Sequence, residues 1–213
     1  HMAWHLALFH LARDRADMAL ALYDTHVRPS PTDDFRDVAN AVSLLWRLRQ
    51  EGVAVGARWA ELAELARKRA TDTTLMFASL HHLLTLVAVG DLSTARALVA
   101  EIAAKAQRAD GDQSEVARDV GLDLARAILS LSAESGARIA SNDVAYNLRM
   151  LGGSNAQRDV FMRTLAQIAT QAGDAAQVET ILAARRRLRQ DDHFARTALD
   201  RLRASKGMFR QVA

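Results

Sequence analysis

After Pro31 the chain runs on to its last residue without another proline, and this constrains its fold more than any other feature. Pro29 and Pro31 are the only prolines in 213 residues. Proline breaks a helix by removing a donor and clashing with the turn before it, so long helices are permitted everywhere beyond Pro31. Alanine, leucine and arginine dominate, all strong helix formers, while aromatic residues make up only 5%. Half the residues are hydrophobic and a quarter charged, the balance of an ordinary globular protein. Composition alone therefore predicts an all-α chain long enough to build one continuous core.

Helical periodicity is interrupted at intervals by glycine-containing or polar segments. It predicts paired helices over about 2–12 and 16–26, 34–50 and 57–70, and 73–89 and 92–108. Further helices are expected over about 115–133, 137–151, 155–171, 175–189 and 193–204. The reading is a single domain, 1–213, of about five helical hairpins, with breaks near 27–33, 51–56, 109–114, 152–154 and 190–192. Paired helices of this kind suit a tetratricopeptide-like αα-hairpin superhelix, an α-solenoid. Gly90-Asp91 followed by Ala95 and Val99 fits the turn, small and larger apolar positions of that repeat. Gly173-Asp174 with Val178 and Leu182 fits with one replacement, and Ala19, Tyr23 and Pro31 fall at matching positions of the first pair.

The stretch from Leu151 to Phe161 reads as a helix stop followed at once by a helix start. Gly152 and Gly153 supply left-handed residues that end a helix. Ser154 then caps the next one, with Gln157 three residues on as the other half of a capping box. The same stretch, Gly-Gly-Ser-Asn-Ala-Gln-Arg-Asp-Val-Phe, is one of several blocks that resemble a known family. The others are Trp4-His5-Leu6-Ala7-Leu8 with Ala19 to His26, Ser43 to Leu48, Glu51-Gly52-Val53 with Gly56 to Trp59, Phe77 with His81, and Ala117 to Leu122. Together these make the chain similar to the tetratricopeptide repeat protein 38 family of helical-repeat proteins. The resemblance implies an all-helical repeat fold and places this chain in the C-terminal half of a protein roughly twice its length. It also implies acidic residues where this chain has Asn40 and Ser79. His1-Met2 reads either as the remnant of a cleaved tag or as the start of the family's His-x-x-Trp-His element, formed here by His1, Trp4 and His5.

Composition narrows the functional classes. Without cysteine there is no disulfide framework, thiolate metal site or thiol nucleophile. No apolar run approaches the ~20 residues that span a bilayer, and we expect a cytoplasmic protein with no membrane association. The formal net charge is +3, with arginines clustered at Arg185-Arg186-Arg187 and Arg189. No aromatic residues interleave them to stack bases, and cations in the last turns of a helix offset its dipole, so nucleic acid is not an expected partner.

Candidate binding residues are Trp4, His5, Tyr23, His26, Trp46, Arg47, Arg58, Trp59, His81, Asn155 and Arg158. His1 and His5 share a helical face at metal-ligand spacing, and His26, His81 and His82 could join them if the hairpins stack suitably. No carboxylate sits beside His5 at ligand spacing, so neither a metal nor a cofactor is expected and the histidines read first as structural. Trp4, Trp46 and Trp59 read as packing between hairpins, or as anchors of a groove. Arg47 beside Trp46 and Arg58 beside Trp59 would then hold a carboxylate. Arg158, near the start of a capped helix beside Asn155, could hold an anion, or with Asp159 fix the Gly-Gly corner and bridge to neighbouring helices. Asp24 and His26 lie too close on one helix to point together as an acid–base pair, and no catalytic motif is assembled. The expectation is a scaffolding module that recognises a peptide or protein through a concave groove, able to self-associate through an uncapped end. The competing expectation is an enzyme or small-molecule receptor with a histidine-lined pocket near the first and third hairpins.

Overall fold

A computed structural model describes residues 1–132, 143–186 and 194–200 of the chain. Every regular element among them is helical. Helices α1 (Met2–Leu11) and α2 (Ala16–Leu22) form the first hairpin, and α2 runs on into one π-helical turn, Tyr23–Val27. The two prolines then hold the segment before α3 out of helical geometry.

Helix α3 (Phe35–Gln50) starts where Asp34 accepts the Arg36 backbone N–H, an N-cap that satisfies one orphan donor. Every residue from Val38 to Leu48 is buried. A helix with no polar outer face belongs in the middle of a molecule, and α3 lies there. A 3-10 turn, Gly56–Arg58, leads into α4 (Trp59–Lys68). Helix α5 (Met76–Ala88) is the second central element, buried continuously from Ser79 to Val87. Next come α6 (Leu92–Ala106), then α7 (Asp112–Val116), which passes through a π-turn (Ala117–Gly121) into α8 (Leu122–Ser130). Helix α9 (Asp143–Asn147) ends in a 3-10 turn, Leu148–Leu151, and α10 (Asn155–Gln171) pairs with α11 (Ala175–Arg186). Residues 194–200 are helical.

Several expected boundaries shift for identifiable reasons. The helix expected from 73 begins at Met76, because Asp72 Oδ1 takes the Thr74 N–H at 3.0 Å and Leu75 is extended. The helix expected from 115 begins at Asp112 and carries the π-turn in its middle. The break near 190–192 lies outside the described residues, as do residues 133–142 of two expected helices and the ends expected at 187–189 and 201–204. The turn after α9 matches its expectation closely. Gly152 and Gly153 have φ of 77° and 69°, and Ser154 and Gln157 form both halves of the capping box.

The pairing of α3 with α4 is not a simple hairpin, since the two barely touch and both pack on α5. Helix α5 also packs on α8, α8 on α10, and α10 returns onto α3. Four helices thus close around one core, with α1, α4, α6 and α11 outside them. Stacked repeats that touch only their neighbours make no such return contact. The α3–α10 seam is stitched by the Trp46 Nε1 to Thr164 Oγ1 bond, 2.9 Å, and the Gln50 to Gln167 bond, 3.0 Å. Gly121 allows α5 to approach the π-turn, because a Cβ there would lie 2.7 Å from Met76 Sδ.

Candidate functional site

The polar residues of α3 fall on two stripes, and these divide the site. Asn40, Ser43 and Arg47 recur at helical spacing on one face; Trp46, Arg49 and Gln50 occupy another. The first stripe faces α1 and α10. Trp4, only 1% exposed, donates its Nε1 hydrogen to Ser43 Oγ at 3.1 Å. Its ring also lies 5.7 Å from the Arg47 guanidinium. Arg47 is 2% exposed and donates to the Ser43 carbonyl at 3.0 Å and, from α3 to α10, to the Ala156 carbonyl at 2.8 Å.

Asp159 completes this cluster. It accepts from Arg185 Nε at 2.7 Å and lies 3.6 Å from Arg47. Burial pushes its carboxyl pKa up, but the charges of Arg185 and Arg47 outweigh that and hold it below the usual carboxylate range. Arg163 belongs to the same cluster; it pairs with Glu51 and donates to Gln50 Oε1 at 3.1 Å. Desolvation lowers the Arg163 pKa, against the pull of Asp159 and Glu51.

His81 sits against this cluster in an aromatic cage, with ring centroids 4.5 Å from Phe77 and 4.9 Å from Phe161. It is 1% exposed, and its Nδ1 is 2.7 Å from the Phe77 carbonyl oxygen, one turn back. Burial pulls its pKa down to about 3, and His82 and Arg47 push the same way. A neutral imidazole donating to a main-chain carbonyl is a core histidine, sealed from solvent. His81 therefore does not open into a cavity with His5 and His26. His5 is exposed, its Nε2 3.2 Å from His1 Nε2. His26 is exposed and 2.7 Å from the Thr25 hydroxyl. Asp24 is committed to Arg58 at 2.6 Å, so Asp24 and His26 form no acid–base pair. His1, Trp4, His26 and Asn40 do line a cavity of 260 Å³ beside the Pro29–Pro31 segment, and the buried Oδ1 of Asn40 has no hydrogen-bond partner there.

The second stripe of α3 opens into the largest of these spaces. Trp46, Arg49 and Gln50 line a cavity of 460 Å³ with Gln167, Thr170 and Gln171 from α10; Val87, Leu131 and Phe194 supply apolar wall. Trp46 is its aromatic floor, and Arg49 stands 5.7 Å over the Trp46 ring while donating to the Ala88 carbonyl at 2.8 Å. The volume falls within the range of ligand-binding clefts, about 300–1,000 Å³.

The remaining sequence candidates are structural. Tyr23 and Trp59 are buried, and burial raises the Tyr23 phenol. Arg58 bridges the 3-10 turn to the π-turn through Asp24. Arg158 donates to the carbonyls of Gly152 and Gly153 and to Asn155 Oδ1 at 2.6 Å, which locks the Gly-Gly corner. Arg47, expected in the groove, is in the core; Arg49 takes its place. The signal was present in the spacing. Trp46, Arg49 and Gln50 repeat the i, i+3, i+4 pattern of Gln167, Thr170 and Gln171, and two such stripes on facing helices define a lined groove. No protein-family model matches this chain, and no solved structure matches it significantly.

Proposed function

We propose that this chain is a cytoplasmic module of tetratricopeptide-like helical hairpins, closed by the α10–α3 contact rather than stacked as an open solenoid, that binds a peptide or protein partner in the cavity between α3 and α10. The observation that carries the reading is the lining of that cavity. One flat aromatic, Trp46, and one guanidinium, Arg49, lie beside the carboxamides of Gln50, Gln167 and Gln171. Gln50 is committed to Gln167 and Arg163, which leaves the Gln171 carboxamide and the Gln167 side-chain N–H to meet the N–H and C=O groups of an extended peptide. Arg49 adds a planar donor fork for a carboxylate, and tryptophan with arginine is the combination favoured at binding hot spots. The resemblance to the tetratricopeptide repeat protein 38 family supports the same class. Self-association fits too: Met2, Leu6 and Phe9, spaced as one stripe of α1, are 79%, 47% and 53% exposed. This stripe would pair with its copy on a second chain.

Screening a peptide library against the wild type and an Arg49→Gln variant tests the reading. Peptides with a carboxylate should bind, and Arg49→Gln should weaken them about tenfold, the worth of one charge-assisted hydrogen bond. Equal affinity in Arg49→Gln and in Gln167→Leu would place binding elsewhere and defeat the proposal.

The competing reading is a small-molecule receptor at the 260 Å³ cavity, and one observation favours it: the unpartnered Asn40 amide oxygen buried beside His26 and Trp4. Native mass spectrometry of the wild type and a His26→Ala variant separates the two. A retained small-molecule mass lost in the variant supports the receptor, and a bare mass in both opposes it.

A further inference from the structure

Asp33, Asp34 and Asp72 converge on a third cavity, of 300 Å³, between the start of α3, the end of α4 and the start of α5. It shares no lining residue with the cavity at Trp46. Its charges do not balance. Asp34 is occupied by Arg36, which it meets at 3.0 and 2.5 Å. Asp33 and Asp72 have only Arg69 between them, at 3.4 and 3.2 Å. Both distances are long for charge-assisted pairs, which usually close to about 2.7–2.9 Å. One guanidinium stretched between two carboxylates leaves one negative charge in excess at the cavity.

His82 gives a second and independent indication. It lines the cavity, is 7% exposed, and neither ring nitrogen makes a hydrogen bond. Only Nδ1 is sealed off, so the Nε2 edge meets open space. Burial pulls the ring pKa down to about 4, with Arg69 acting in the same direction and Asp72 against it. A neutral imidazole of the Nδ1–H tautomer offers Nε2 as an acceptor. Phe35 and Leu65 supply apolar wall. Among the described residues no group of three or more histidine or acidic side chains is placed to hold a metal ion. Carboxylates too dispersed for a small ion suit a diffuse charge on an alkyl stem.

We propose that this cavity binds a single organic cation, an alkylammonium or guanidinium head, with its stem against Phe35 and Leu65. The head replaces the missing partner of Asp33 and Asp72 and donates to His82. Such a group belongs either to a free amine or to a lysine or arginine side chain of a partner peptide.

The test is titration of the intact chain with n-butylamine, n-butylguanidine, butyrate and an acetyl-Ala-Lys-Ala-amide peptide, followed by the His82 ring resonances in NMR. The cations should shift those resonances with millimolar affinity, and butyrate should not. Asp33→Asn, in an exposed loop residue whose only ion pair among the described residues is with Arg69, should weaken them about five- to tenfold without affecting folding. Tighter binding of the peptide than of the free amine assigns the cation to a partner side chain; equal or weaker binding assigns it to a free amine. Silence with both amines, equal response to butyrate, or unchanged affinity in Asp33→Asn would overturn the proposal. Arg49→Gln should leave this titration unchanged, so its outcome is separate from that of the peptide groove.

Discussion

Adjacent residues on a helix point about 100° apart, and that separates Trp46 from Arg47. Sequence proximity paired them as one groove; the fold sends Trp46 to the cavity and Arg47 to the core. What fixes Arg47 there is Asp159 of α10, more than a hundred residues further along the chain but 3.6 Å away in space. Its dependence on a partner so distant in the chain is why its role was not legible. Asp159→Asn leaves the Arg185 and Arg47 guanidinium groups buried without their counter-charge, and should cost about 3–5 kcal/mol of unfolding free energy in urea titration. Stability should also fall in acid. His81 and His82 stay neutral in the folded chain down to about pH 3 and 4, whereas unfolded histidine protonates near pH 6.5. Unfolding therefore takes up protons as pH drops below about 6.5, and stability is lost from there toward the folded values. Asp159, held low when folded, contributes stability above the unfolded carboxylate pKa of about 4 and loses it below. His81→Leu should reduce the pH slope of the unfolding free energy between pH 6 and 4 by about 1.4 kcal/mol per unit, the effect of one proton. An unchanged slope would show that His81 is not the group titrating.

At the scale of the element, local chemistry was legible wherever it was complete within a few residues. The Gly-Gly stop and Ser154–Gln157 start needed only their own sequence, and both formed. Ser154→Ala should cost about 1 kcal/mol, read as a lower thermal midpoint. The late start of α5 was hidden because Asp72 competes for the Thr74 N–H, and a capping competition of that kind has no periodicity. A glycine within a helical stretch, as Gly121 is, marks a place of close backbone approach, but the sequence does not say which helix approaches. The neighbour is α5, through Met76. Gly121→Ala brings a methyl into the Met76 side chain, and overpacking of this kind should cost about 1–3 kcal/mol. With Met76→Ala in the same chain the two changes together should cost less than the sum of their separate losses; full additivity would mean that the two positions do not touch.

At the scale of the whole molecule, periodicity gave helices but not their closure. Amphipathic stripes tell which face is covered, not by which helix, and the return of α10 onto α3 joins segments separated by about half the chain. The buried run of α3 from Val38 to Leu48 was the available hint, because only a helix surrounded on all sides can afford it. The outer surface shows the converse. On α1 the stripe Met2, Leu6 and Phe9 is apolar yet faces outward, with no described helix over it. Burying such side chains stabilises by roughly 1.5–3 kcal/mol each, so an isologous pairing of two stripes gains twice from each residue. Sedimentation equilibrium should accordingly find a dimer at micromolar concentration. Leu6→Glu with Phe9→Glu should yield a monomer, since each carboxylate would face its copy across the two-fold axis. The circular dichroism melt of that variant should stay near wild type at dilution, because neither side chain supports the core. A wild-type monomer across the accessible concentration range would assign the stripe to some other partner and leave the peptide groove of α3 and α10 to act within a single chain.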